Sequence, residues 1–435
     1  MSETLEQARR RLEAGCIRFL QIEVSELDGS LRGKLVDLSK GLGDDVGFCT
    51  TLLTSTTADD VYEAPFASFE GGFRDFFARP HAETVRRLPW RLRTAAVICD
   101  MFDADGTITA EAPRTALHKA VDRAADMGFE PRAALGYDVS VFDVDDAERD
   151  GSSRGSMTAE YGNRRPVVAP VLRGIAEAFA ERMAAIDAPL ESAQLTQEEG
   201  ALAIALEPAP ALEAGDRAMR TKTYLKELCT ERGFVASFMA RHDMARPFHR
   251  GHVRHSLWRD GECAFEADGE ISDIARHYAA GQQARLADIA AFCMPTVNAY
   301  RRDGRTDCSS AVSPVAIERG PGGAFVANSL SGADTNAYLA IAVQLAAGLA
   351  GVASGLGEQP LAGDGGCAGP RVQELPQSLE EATDALAAST FLRAFFGDRF
   401  VDHYAFSRRV ELRMWNEWLA SRVTDWEMRR YFETV

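Results

Sequence analysis

From Thr4 to Ala14 apolar residues recur at helical spacing, and Gly15 then gives way to Ile17-Arg-Phe-Leu-Gln-Ile-Glu-Val24. The alternation of apolar and polar residues in that segment predicts a half-buried strand. Asp28-Gly29 supplies a turn signal before Leu31-Arg-Gly-Lys-Leu-Val36, so a hairpin is expected. With the Gly71-Gly72 loop and Arg87-Leu-Pro-Trp90 that follow, the first stretch reads as a small β-rich unit of roughly 100 residues. A second unit opens on the apolar run Ala95–Asp100, turns at Asp105-Gly106 and enters a helix from about Pro113 to Met127, with proline at the favoured first position. Strand-like patterns follow at Ala201–Leu206, Phe234–Ala240 and Gly251–Trp258. Asn336–Ala353 is apolar all round at helical spacing and predicts a buried helix. Ser354–Leu375, rich in glycine and proline, predicts a loop before a helical carboxyl-terminal region that ends in Val423-Thr-Asp-Trp-Glu-Met-Arg-Arg-Tyr431.

Composition narrows the classes of function. The chain has 435 residues, 46% hydrophobic and 26% charged, enough to bury a large core in two or more folding units. Its formal net charge of −17 opposes nonspecific binding to nucleic acid or anionic lipid, because both require a basic surface. No apolar run is expected to reach the roughly 20 residues of a membrane span, and the amino terminus lacks the pattern of a signal peptide. A cytoplasmic protein with no membrane partner is the expectation. The eight cysteines are scattered without C-x-x-C spacing, which predicts thiols rather than a disulfide framework or a zinc ribbon.

Val326-Ala-Asn-Ser-Leu-Ser-Gly-Ala-Asp-Thr-Asn-Ala-Tyr-Leu-Ala340 resembles a segment of the form E-x-R-x-x-G-A-D-x-N-P-Y-L-A. Other segments follow the same family order: Gly29-Ser-Leu-Arg-Gly-Lys34, Arg87–Trp90, Cys99-Asp100 with Asp105-Gly106, Pro113-Arg114, Phe238-Met-Ala240, Asn298–Arg302 and Thr424–Glu427. Together they resemble the glutamine synthetase family, in its γ-glutamyl-amine or polyamine ligase-like branch. The resemblance implies an α+β fold: an N-terminal β-grasp domain over residues 1–108, and over 109–435 a larger catalytic domain with a curved antiparallel sheet flanked by helices. It also implies ring-shaped homo-oligomers with sites between neighbouring subunits, ATP with Mg or Mn, and a small-molecule acid and amine as substrates.

The family holds two divalent cations among oxygen-rich side chains, because phosphoryl transfer needs charge neutralised on phosphate oxygens. Carried over residue by residue, the metal candidates are Asp138, Glu191, Glu199 and His252, with Ser140 and Ala327 standing where the family has glutamates. Asp138 lies in Gly136-Tyr-Asp-Val-Ser-Val-Phe142, and a plain strand-end carboxylate is the alternative reading of it. Glu191 precedes Glu199 of Gln197-Glu-Glu199 at the family spacing. In Pro247-Phe-His-Arg-Gly-His-Val-Arg-His-Ser-Leu257, His252 matches a metal-binding histidine, Ser256 a nucleotide-side serine, and Arg254 replaces a second histidine. Ser256 and Arg254 are thus the nucleotide candidates.

Phe248 and His249 fill positions that are small in the family, which implies a rebuilt acid-binding floor. His249 and His255 are either ordinary core or surface histidines or replacements for lost ligands, and a histidine-rich site favours softer ions such as zinc. The catalytic candidates are Arg302, Arg319 and, in the flap Asp303–Cys308, Asp307. Two family arginines are expected to be missing at Ala324 and Ser329, and the segment matching the amine-deprotonating loop, Gly47–Thr54, holds no acid. Three readings follow: a divergent ATP-dependent carboxylate–amine ligase acting on something other than glutamate plus ammonia, a catalytically silent homologue with an assembly, regulatory or ligand-binding role, or a repurposed pocket with different metal-assisted chemistry.

Overall fold

The computed structural model describes residues 3–43, 45–143, 167–301, 313–357 and 375–434. Arg302, Asp307, Cys308, Cys367 and most of the glycine-rich Ser354–Leu375 stretch lie outside them. The first sheet is built from β1 (Phe19–Ser25), β2 (Leu31–Asp37), β3 (Val46–Cys49), β4 (Asp75–Pro80), the short β5 (Arg86–Arg87) and β6 (Thr94–Phe102), in the order β2-β1-β6-β4-β3 with β5 on β6. β1 pairs antiparallel with β2 and parallel with β6. Helices α1 (Leu5–Ala14) and α2 (Leu38–Gly43) accompany this sheet, and Ala8, Leu12, Leu20, Ile22 and Val24 share its core.

The second sheet carries the remaining chemistry. Its strands are β7 (Glu130–Asp143), β8 (Leu190–Leu195), β9 (Ala201–Leu206), β10 (Ala209–Pro210), β11 (Phe234–Ser237), β12 (Gly251–Arg259) and β13 (Glu262–Cys263). After the two-stranded hairpin β14 (Glu266–Ala267) and β15 (Glu270–Ile271) come β16 (Val315–Gly320) and β17 (Gly323–Asn328). The path is β16-β17-β12-β7-β9-β8, antiparallel at each printed pairing. Helices α3 (Pro113–Asp126), α4 (Ala169–Ala184), α5 (Ala211–Glu231), α6 (Asp273–Ala284), α7 (Leu286–Cys293) and α8 (Ala337–Ser354) supply the apolar layer on its core face. α9 (Leu379–Ala388), α10 (Thr390–Phe396), α11 (Asp398–Ala420) and α12 (Asp425–Tyr431) complete the chain.

The retained half of the Gly-Ala-Asp segment turns out to be a junction. Asn336 caps α8, its Oδ1 accepting from Tyr338 N at 3.0 Å and Leu339 N at 3.3 Å, while its Nδ2 donates to the Glu26 carbonyl at 2.8 Å in the β1–β2 turn. Gly29 in that turn has φ +86°, and a Cβ there would sit 3.0 Å from Asn336 Cα. The Tyr338 hydroxyl donates to Asp216 at 2.7 Å, and Asp216 accepts from Arg114 at 2.9 Å. Among the described residues α8 is long and apolar enough to cross a membrane, contrary to the expectation that no run would be, but 78% of its window is buried in the core. Its hydrophobicity is spent on packing.

Candidate active site

β12 alternates. Gly251, Val253, His255 and Leu257 are buried, while His252, Arg254, Ser256 and Trp258 present the other, concave face. Directly paired residues of an antiparallel ladder share a face, so the register Ser256↔Arg132, Arg254↔Ala134 and His252↔Gly136 puts those β7 residues, and two steps on Asp138 and then Ser140, on the same surface. The opposite β7 face, Leu135, Tyr137, Val139 and Val141, is fully in the core.

Asp138 is anchored rather than free, since its Oδ2 accepts the Arg250 backbone N–H at 3.0 Å and stands 4.0 Å from His252 Nε2. Those two expected ligands are therefore together. Glu191 is not with them: a register irregularity between Leu190 and Ser192 marks its place in β8, and its carboxylate forms an ion pair with Arg254, whose guanidinium also donates to the Leu206 carbonyl at 3.2 Å. Glu199 is exposed to solvent. Its neighbour Glu198 turns inward instead, because Thr196 Oγ1 accepts the Glu198 N–H at 3.1 Å and Gly200 takes φ +79° to return the chain into β9.

Glu198 meets two histidines. Its Oε2 lies 3.3 Å from His249 Nε2 and its Oε1 3.5 Å from His242 Nε2. Ser140 Oγ is 3.3 Å from the same His249 nitrogen. Burial, and then the neighbouring His249, lower the pKa of His242 from the ordinary histidine value. His255 does not join this group. It lies on the core face with Nε2 3.1 Å from Gln344 Oε1, and burial pushes its pKa down to about 4.

The other end of the concave face holds a cavity of about 160 Å³ lined by Arg132, Glu191, Arg254, Ser256, Trp258 and the Gly320–Gly323 turn. Trp258 Nε1 donates to Ser256 Oγ at 2.9 Å, the Arg132 guanidinium stands 4.1 Å from the centre of the Trp258 ring, and that of Arg254 stands 5.5 Å from that of Phe325. Ala327 pairs with Arg254 and Ala316 across the ladder, leaving methyl groups where the resemblance implies a carboxylate. Arg319 pairs with Ala324 on the opposite face and donates to the Gly269 carbonyl at 2.8 Å in the β14–β15 hairpin, so the structure does not bring it to the concave site. Ala324 is 1% exposed, so a residue there faces the core and Phe325 faces the groove. A larger cavity, about 740 Å³, lies between α3, α8 and α10, remote from these groups.

Two hard cations in oxygen-rich shells do not fit these residues. Ser140 and Ala327 supply no charge, Glu191 is engaged by Arg254, Glu199 points to solvent, and Asp138 with His252 is what remains of one ligand set. Glu198 and His242 escaped the sequence reading. Counting eight residues from Glu191 selects Glu199, and only the turn conformation selects its neighbour. His242 follows Phe238-Met-Ala240 by two residues and is positioned by its backbone neighbour Arg241, which exchanges hydrogen bonds of 2.8 and 2.7 Å with Asn298.

The model of the glutamine synthetase catalytic domain matches residues 110–431. The chain is 29% identical to type-1 glutamine synthetase 2 of Dictyostelium discoideum over 96% of its length and 84% of that protein. It is 30% identical to γ-glutamylethanolamide synthetase GlnA4 of Streptomyces coelicolor over 99% of its length and 96% of that protein. Glutamate–isopropylamine ligase of a Pseudomonas species is 27% identical over 99% and 98%. A solved structure described as apo GmaS without ligand superposes with a TM-score of 0.79, covering 100% of both chains at 22% identity. With a β-grasp-like sheet, a curved antiparallel sheet and the Asp138–His252 pair already placed by the fold, the chain belongs to the glutamine synthetase family, in its γ-glutamyl-amine ligase-like branch.

Proposed function

We propose that this chain is a divergent ATP-dependent carboxylate–amine ligase whose substrates are not ordinary glutamate and ammonia. Ligases of this family use ATP and divalent metals. One observation carries the reading: Arg254, Ser256 and Trp258, residues suited to phosphate, hydroxyl and a planar base, stand on the same strand face as the Asp138–His252 pair. ATP activates the acid as an acyl phosphate with release of ADP, and the amine then displaces phosphate to give the amide. Arg254 holds the phosphate end by charge-assisted hydrogen bonds and Trp258, backed by Arg132, offers a stacking surface. A cavity of about 160 Å³ is below the ~300–1,000 Å³ usual for ligands, so nucleotide entry parts the Arg254–Glu191 pair. Arg302 and Asp307, outside the described residues, are proposed as further catalytic residues.

The acid differs from glutamate because the pocket floor differs. Phe248 is 6% exposed and His249 2% exposed, filling space that small residues leave open in the family, and Ser329 offers no guanidinium to a substrate carboxylate. The sites are proposed to lie between neighbours of a homo-oligomeric ring. A second reading, a catalytically silent homologue, is favoured by one fact: Arg254 is already neutralised by Glu191. Incubation with ATP, Mg or Mn and crossed panels of acids and amines separates the two. The ligase reading expects ADP release that needs both an acid and an amine and is weak with glutamate plus ammonia; no release across the crossed panels supports the silent homologue.

A further inference from the structure

Glu198, His242 and His249 form a three-residue group whose candidate ligand atoms all lie within 4.8 Å of one another. We propose that this trio binds one borderline transition ion of the zinc or cobalt class in preference to magnesium. The Nε2–oxygen separations of 3.3 and 3.5 Å are longer than the ~2.7–2.9 Å of a charge-assisted hydrogen bond. They match instead the edge of a tetrahedron about an ion with bonds of ~2.0–2.1 Å, which is about 3.3 Å. Two imidazoles and one carboxylate are the donor set that borderline ions prefer and magnesium does not.

The group is also held in place and left incomplete by the protein. Glu198 is fixed by the Thr196 turn, His249 by its N–H to the Ala240 carbonyl at 2.8 Å and its carbonyl to Ala333 N at 3.1 Å, and His242 by the edge of Phe142, ring centroids 5.3 Å apart. The Glu198 and His249 side chains are 6% and 3% exposed, and among the described residues the buried Nδ1 atoms of both histidines have no hydrogen-bond partner. Ser140 makes the arrangement possible, because its short side chain already reaches within 3.3 Å of His249 and a glutamate there would occupy the imidazole's space. Three protein ligands leave a coordination position for water or a substrate oxygen.

The test does not depend on ligase activity. The full chain is stripped of metal with a chelator and titrated with Co²⁺, reading the visible absorption of a low-coordinate site, and then with Zn²⁺ in competition, each in excess Mg²⁺. The expected result is one equivalent of cobalt, displaced by zinc and not by magnesium. His242→Asn and Glu198→Gln should each weaken it roughly 10- to 100-fold, while Asp138→Asn leaves it unchanged. Circular dichroism confirms that each variant is folded, and His242, in a loop, is the substitution least prone to unfold the chain. Absence of a cobalt spectrum, displacement by magnesium, or equal affinity in the His242 and Glu198 variants overturns the proposal. ADP release is not read, so a silent ligase with a cobalt spectrum leaves this inference standing.

Discussion

Single residues decide what this site is. Arg254 is the phosphate anchor of the ligase reading and is paired with Glu191, so the two make opposite predictions. Arg254→Ala should weaken binding of a fluorescent ATP analogue roughly 10- to 100-fold, the worth of a hydrogen bond to a charged group, whereas Glu191→Ala should tighten it by freeing the guanidinium. Equal affinities in wild type and Arg254→Ala would place the nucleotide elsewhere. At the junction, Asn336→Ala removes the α8 cap and the bond to the Glu26 carbonyl, and urea unfolding should show a loss of about 1–3 kcal/mol. An unchanged midpoint would contradict that role. At this scale the sequence was legible where strand parity settles the facing and opaque where a turn does. Strand parity along 251–258 already separates His252, Arg254 and Ser256 from buried His255, whereas Arg319, beside Glu318, is placed only by its pairing with Ala324. No pattern in Gln197-Glu-Glu199 tells which carboxylate turns inward, because Thr196 and Gly200 set that backbone.

The elements were more readable than the residues on them. The alternation of 17–24, the Asp28-Gly29 turn, the helix from Pro113 and the apolar 336–353 stretch all appear where the pattern places them, because each is fixed by local periodicity and burial. β7, fourteen residues long, was seen only as a short motif, since it is buried along much of its length and its pattern lacks a clean alternation. Two buried histidines link elements and give them a pH response. His255 on β12 and His403 on α11, whose Nε2 is 2.8 Å from the Leu53 carbonyl, have pKa values pushed down to about 4 by burial. The unfolded chain takes up these protons near pH 6.5 and the folded chain only near 4. Their contribution, on the order of 3 kcal/mol each, is therefore complete above pH 6.5 and lost as the pH falls towards 4. Urea unfolding at pH 7.0, 5.5 and 4.5 should show a shallower acid decline for His403→Gln than for wild type; parallel declines would mean that His403 is not the titrating group.

For the whole molecule, the two sheets are joined by buried charge. Glu23 of β1, 0% exposed, accepts from Arg220 of α5 at 2.9 Å and from the Tyr224 hydroxyl, and Arg220 also donates to the Thr84 carbonyl at 3.0 Å. Glu23→Ala strands the arginine and should cost roughly 3–5 kcal/mol in unfolding experiments, far more than an exposed pair would. A loss below 1 kcal/mol would show that water reaches Arg220. The fold was legible at this level because many short matches lie in order along the chain. The chemistry was less so, because the residues of the proposed metal trio come from two separate loops, Glu198 from the β8–β9 turn and His242 and His249 from the β11–β12 connection. The central claim is acyl-phosphate ligation, and oxygen tracing tests it most directly. With the acid that supports ADP release labelled with ¹⁸O in its carboxylate, one labelled oxygen should appear in the released phosphate for each amide formed. Unlabelled phosphate, or amide formed without ATP, would contradict the account.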